Sequence, residues 1–135
     1  MSTNDSSPLS VTRSRPPRTA EIWCRVIDNF GDAGVTWRLA RRLRDLGLAV
    51  RLVVDRSDVL AKLVPELDPN LPESVVRGIA IARWDDRAAR AEEVLEKTRE
   101  RDGCSQDQNV PSTADITIEA FGCRLPDAVG ALLAR

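Results

Sequence analysis

Histidine is missing altogether from this chain of 135 residues. That gap removes Ser-His and Cys-His nucleophile systems from within the chain, together with every imidazole metal ligand. Acid–base chemistry here falls to carboxylates. Cysteine is scarce: Cys24, Cys104 and Cys123 are an odd number, far apart, with no CxxC pair. That spacing argues against a disulfide framework and against a zinc site, and Cys24 and Cys123, set in apolar runs, read as buried reduced thiols. No apolar run approaches the ~18 residues that span a bilayer. The opening MSTNDSSPLSVTRSRPPRTA holds no apolar core for a secretory leader, so the expected location is cytoplasmic, with no membrane partner. An excess of charge is lacking too. Twenty basic side chains stand against twenty-one acidic ones, a net −1, and no direct nucleic-acid footprint is expected.

What remains is an ordinary globular composition, 42% apolar and 30% charged, at the length of one modest domain. Residues 1–20, rich in Ser, Pro, Thr and Arg, read as a disordered tail. Beyond them, EIWCRVI (21–27), AVRLVV (49–54), GIAIARW (78–84) and DITIEA (115–120) read as four strands. Val35, Leu39, Leu43 and Leu46 recur at helical spacing, with Gly47 as their C-cap. Ser57 suits the N-cap of DVLAKLV, which stops before Pro65. Residues 87–101 read as a charged, solvated helix, and 125–133 as a last helix introduced by Pro126. DPNLPES (68–74) and residues 102–113 read as loops. Strands alternating with helices imply βαβ units, hence an α/β fold with a parallel sheet. Four strands are few for a sheet that must be covered on both faces, and the last helix breaks off uncapped. Residues 21–135 therefore read as a partial domain with an open sheet edge.

The densest chemistry lies in VIDNFGDAG (26–34), where the first strand turns into the first helix. Ligands of open α/β sheets gather at the carboxyl ends of the strands, and this turn occupies that place. Gly31 and Gly34 permit positive φ or close backbone approach. The pattern is GxxG rather than GxGxxG, so the dinucleotide fingerprint is missing. Asp32 suits a helix N-cap and Asp28 an Asx-type turn, with no chemistry required of either. Two acids in one glycine-lined turn equally suit a cationic or hydroxylic substrate, and a carboxylate is the natural bidentate partner of a guanidinium.

Three stretches, CRVIDNFGDAGVTWRLARRL, ARWDD and ADITIEAFGCRLPDA, resemble in content and order the protein-arginine rhamnosyltransferases that modify bacterial translation elongation factor P. The likeness covers the chain from Ile22 onward. It implies an inverting GT-B glycosyltransferase that uses TDP-β-L-rhamnose and needs neither metal nor further cofactor. Residues 21–135 would be the first part of its Rossmann-like, acceptor-side N-terminal domain. The donor-binding C-terminal domain would lie outside the chain, leaving it inactive alone. Asp32 matches the family's general base and Asp28 the acid that helps hold the acceptor arginine. Asn29, Phe30 and Gly31 match the turn that lies against the sugar donor. Two other readings stand beside this one: a non-catalytic module that binds elongation factor P, and a generic nucleotide-binding α/β domain.

Glu119 ends the fourth strand on the ligand side, where it either lines the acceptor pocket or shapes the following loop. Trp84, Asp85 and Asp86 follow the third strand in the same way, with Trp84 either core or cleft wall. Trp37, on the first helix, reads as core.

Overall fold

Every residue of TAEIWC after the first is buried. Successive side chains of a strand point to opposite faces, so Ile22 and Cys24 go one way and Glu21 and Trp23 the other. Such a segment must be central and covered on both sides. The computed structural model, which describes residues 16–27, 29–101 and 114–134, places it there as β1 (Thr19–Cys24). In chain order follow α1 (Asn29–Asp45), β2 (Ala49–Val54), α2 (Ser57–Leu63), β3 (Glu73–Val76) and β4 (Ile79–Arg83). Then come α3 (Trp84–Arg101), β5 (Ile116–Ala120) and α4 (Asp127–Leu133). The five strands form one α/β sheet in the order β3-β4-β2-β1-β5. All neighbours are parallel except β3 and β4.

Period-two burial sorts the helices. Ile22, Cys24, Leu52, Val54, Ile79 and Ile81 meet α1 and α2 on one face. Trp23, Val53 and Ala82 meet α3 and α4 on the other. Fully burying one side chain of this size contributes about 1.5–3 kcal/mol, so both layers matter to stability. On α1 the inward stripe is Ala33, Trp37 and Ala40, with Leu39 and Leu43 half-buried beside it. Trp37 is thus core, as its position implies, but Val35 and Leu46 face solvent. The helix ends at Gly47, whose φ is +97°. The Gly47 N–H donates to the Arg44 carbonyl (2.8 Å) and the Leu48 N–H to the Leu43 carbonyl (3.2 Å), the paired bonds of a Schellman cap.

Several sequence expectations need correction. The sheet has five strands, because Glu73–Val76, partly read as loop, pairs with β4. Arg77 (φ 51°) and Gly78 (φ 78°) make the two-residue hairpin turn, which requires positive φ at both positions. β1 starts at Thr19 and ends at Cys24, so the tail boundary moves back and Arg25–Ile27 leave the strand. α3 starts at Trp84 rather than Arg87. Ser57 lies inside α2, where its hydroxyl donates to the Pro69 carbonyl at 3.3 Å instead of capping the helix. Residues 1–15 and 102–113 lie outside the described residues, Cys104 among them.

Glu21 is a buried acid on the α3/α4 face, and its partners explain how β1 tolerates it. Its Oε1 accepts the Trp23 Nε1–H at 2.7 Å. Its Oε2 accepts from Arg87 Nη2 at 2.8 Å and from Arg51 Nη1 at 3.3 Å. Removing the carboxylate strands an indole N–H and the Arg87 guanidinium, about a third exposed, and leaves Arg51 only its pairing with Glu73 at 3.4 Å. Glu21→Ala is therefore expected to lower the unfolding free energy by about 2–4 kcal/mol in urea denaturation. Glu21→Gln, which retains an acceptor for Trp23, is expected to cost less.

Candidate functional site

β1 lies between β2 and β5, and the chain leaves these strands for different faces. After β1 it crosses to α1 on one face, and after β5 it turns to α4 on the other. A crevice opens at the carboxyl ends of two neighbouring parallel strands when their connections part in this way. Cys24 and Ala120 are the last paired residues of β1 and β5, so residues 25–27 and 29–32 form one lip of the crevice and 121–125 the other.

Asp32 stands on the first lip. α1 begins at Asn29, which puts Asp32 in its first turn rather than at the N-cap. The carboxylate reaches back, and its Oδ2 accepts the Ile27 N–H at 2.8 Å. A negative charge there also suits the positive end of the helix dipole. The Asp32 carbonyl accepts the Thr36 hydroxyl at 2.9 Å, which ties the turn to the core. Asp55, which sequence reasoning passed over, completes the lip: its Oδ1 accepts the Val26 N–H at 2.8 Å. Its role comes from that hydrogen bond, which the residue order does not announce. Asp28 itself and the side chain of Asn29 lie outside the described residues.

Gly31 and Gly34 sit within α1, and neither adopts positive φ. At Gly34 an added Cβ would meet the Leu63 side chain at 3.7 Å, an ordinary contact. Phe30 is half-exposed, with Lys62 Nζ 6.0 Å from its ring centroid. On the second lip Glu119 is exposed, and its Oε1 accepts the Leu125 N–H at 3.3 Å, the loop-shaping role. Trp84 is core: it is buried edge-on against Trp23 at 4.9 Å, with the Arg25 guanidinium 4.8 Å over its ring. Asp85 and Asp86 open α3, and Asp86 pairs with Arg83 at 3.2 Å. Among the described residues no group of three or more Cys, Asp or Glu is placed to hold a metal ion.

Cys24 and Cys123 are free and buried. Burial, outweighing a hydrogen bond with Thr36 and reinforced by the Asp32 charge, pushes the Cys24 thiol up to about 11. Burial also raises Cys123, whose Sγ–H donates to the Trp23 carbonyl at 3.2 Å. Neither is the thiolate that nucleophilic chemistry needs. The thiol of Cys24 ionises near 9 when unfolded and near 11 when folded. Its contribution to stability is thus complete below pH 9 and lost as pH rises through 11. Denaturation midpoints are expected to fall across that window, and Cys24→Ala should flatten the fall. In a Cys104→Ser background, native protein at pH 8 should resist alkylation until denaturant is added.

A family model described as elongation factor P (EF-P) rhamnosyltransferase EarP matches residues 20–135. A protein-arginine rhamnosyltransferase of Pseudomonas aeruginosa is 37% identical over 109 residues, covering 80% of this chain and 24% of the relative. One from Neisseria meningitidis serogroup B is 39% identical over 115 residues, covering 84% and 25%. A third, from Pseudomonas putida, is 35% identical over 119 residues, covering 87% and 26%. The chain thus spans about a quarter of the length of the curated relatives it matches.

Proposed function

The chain belongs to the elongation factor P rhamnosyltransferase family, and from that premise we propose that it forms part of an inverting protein-arginine rhamnosyltransferase. In this reading it contributes the acceptor side of a GT-B enzyme, with its sheet as part of a Rossmann-like domain. The remainder of the enzyme binds the donor, TDP-β-L-rhamnose. The acceptor is an arginine of elongation factor P, and the setting is the cytoplasm. The observation that carries the reading is the half-buried Asp32 carboxylate at the parting of β1 and β5.

The chemistry follows from the nucleophile. A guanidinium has a pKa above ~12 and spreads its charge over three nitrogens, so it attacks only when oriented and relieved of a proton. Asp32, with Asp28, holds the planar fork and aims one nitrogen at the anomeric carbon. As the new C–N bond forms, the bond from that carbon to the phosphate oxygen breaks and TDP departs with the electron pair. The proton passes from nitrogen to Asp32. Attack opposite the leaving group inverts the sugar. Asn29, Phe30 and Gly31 line the donor side of the same turn, and Glu119 steadies the loop across from it. The departing diphosphate is met by helix N-termini and cationic groups of the donor-binding part rather than by a metal.

The test grafts residues 20–135 into the matching quarter of the Pseudomonas aeruginosa relative and follows rhamnose addition by the mass of elongation factor P. Asp32→Asn keeps an oxygen for the Ile27 N–H and removes the base. It is expected to lower turnover by roughly 10²-fold or more while leaving donor affinity near its original value. Near-normal turnover would remove Asp32 from this role. Replacing the acceptor arginine with lysine should abolish transfer, because an ammonium cannot reproduce the fork. A graft that binds the acceptor but never adds rhamnose would favour the non-catalytic module.

A further inference from the structure

Among the described residues, Arg77 and Phe121 are the non-glycine positions with positive φ. Arg77 is accounted for by its hairpin turn. Phe121, at φ 57°, is followed by Gly122 at φ 68° and leads from β5 towards α4. The left-handed region is an outlier for a bulky side chain, and such outliers persist only where neighbouring structure enforces them. Here the enforcement is visible. The Cys123 N–H donates to the Ala120 carbonyl at 3.2 Å, and the Cys123 thiol to the Trp23 carbonyl at 3.2 Å. The Leu125 N–H donates to Glu119 Oε1 at 3.3 Å.

Despite the strain, Phe121 leaves half of its side chain in water, at 51% exposed. A glycine would fit the backbone better and would keep no ring in water. Strain and an exposed aromatic ring thus coincide one residue beyond the last β5–β1 pair, at the carboxyl end of β5, the neighbour of the strand that leads to Asp32. Phe30 and Ile27, both exposed, belong to the opposite lip.

We propose that Phe121 is a specificity-determining residue of the acceptor site, its ring packing flat against the guanidinium of the target arginine. This rests on the reading of the site as an arginine acceptor. A guanidinium is planar and weakly hydrated on its faces, so it stacks on an aromatic ring while its edge donates to a carboxylate. Asp32 serves the edge and Phe121 the face. An ammonium has no flat face to offer. The pair of groups therefore selects arginine over lysine by shape as well as by hydrogen bonding.

The experiment measures, for the 135-residue chain and its variants, the melting temperature and the affinity for elongation factor P by calorimetry. Phe121→Gly is expected to raise the melting temperature by a few degrees and to weaken binding about tenfold. Phe121→Leu should weaken binding similarly, and Phe121→Trp should bind within about threefold of the parent. Against an acceptor whose target arginine is alanine, Phe121→Gly should bind as the parent does. An unchanged or lower melting temperature for Phe121→Gly would overturn the strain premise. Unchanged affinity for the arginine acceptor, or an equal loss against the alanine acceptor, would overturn the stacking role while leaving the acceptor reading intact. No binding by the parent chain would bring down the acceptor reading, and this inference with it.

Discussion

The double burial of β1 is the constraint from which the rest of the molecule follows. A strand with Ile22 and Cys24 on one side and Trp23 on the other must have helices over both faces. Its backbone must also find partners at both edges, which β2 and β5 provide. The two connections that supply those helices part in opposite directions, one leading from β1 through Asp32 and the other from β5 through Phe121. The same burial makes Glu21 a liability that Arg51, Arg87 and Trp23 jointly offset. Stability of the core and placement of the site are thus consequences of one strand's position.

Much of this was legible in the residues. Apolar runs in EIWC and LVV and alternation in IAIA marked three of the parallel strands, and Gly47 marked the end of α1. Trp37 belonged inside from its place on the first helix, and the two thiols from the apolar runs that hold them. β3 escaped because it is only four residues long, half of it exposed, with Val75 turned to solvent. Its hairpin turn carries arginine where asparagine or aspartate would have announced it. Of the site, Asp32 was legible as an acid at a strand-to-helix switch, but its bond to Ile27 depends on where α1 begins. Asp55 and Phe121 were not found, because their importance comes from hydrogen bonds and a backbone angle that no spacing pattern encodes.

In the proposed reaction a carboxylate, Asp32, takes the proton from a guanidinium. An ordinary carboxylate titrates some eight or more units below an arginine, a gap of roughly 11 kcal/mol against complete transfer in the ground state. In the proposed reaction the base cannot prepare a neutral nucleophile in advance. Proton transfer must accompany carbon–nitrogen bond formation, when the nitrogen's acidity has risen sharply. Positioning therefore matters more than basicity, and the bonds that fix the β1–α1 loop, Asp55 to Val26 and Asp32 to Ile27, acquire their importance from this.

The three tryptophans are divided between the two layers. Trp37, on α1, stands by itself in the layer of α1 and α2, whereas Trp23 of β1 and Trp84, the first residue of α3, meet edge to face at 4.9 Å in the other layer. Indoles that close couple their electronic transitions, giving a circular-dichroism couplet that an isolated indole lacks. The molecule therefore carries separate optical reporters for its two halves: a coupled pair for one side of the sheet and a solitary emitter for the other. Loosening of one layer ahead of the other would be visible without any added label.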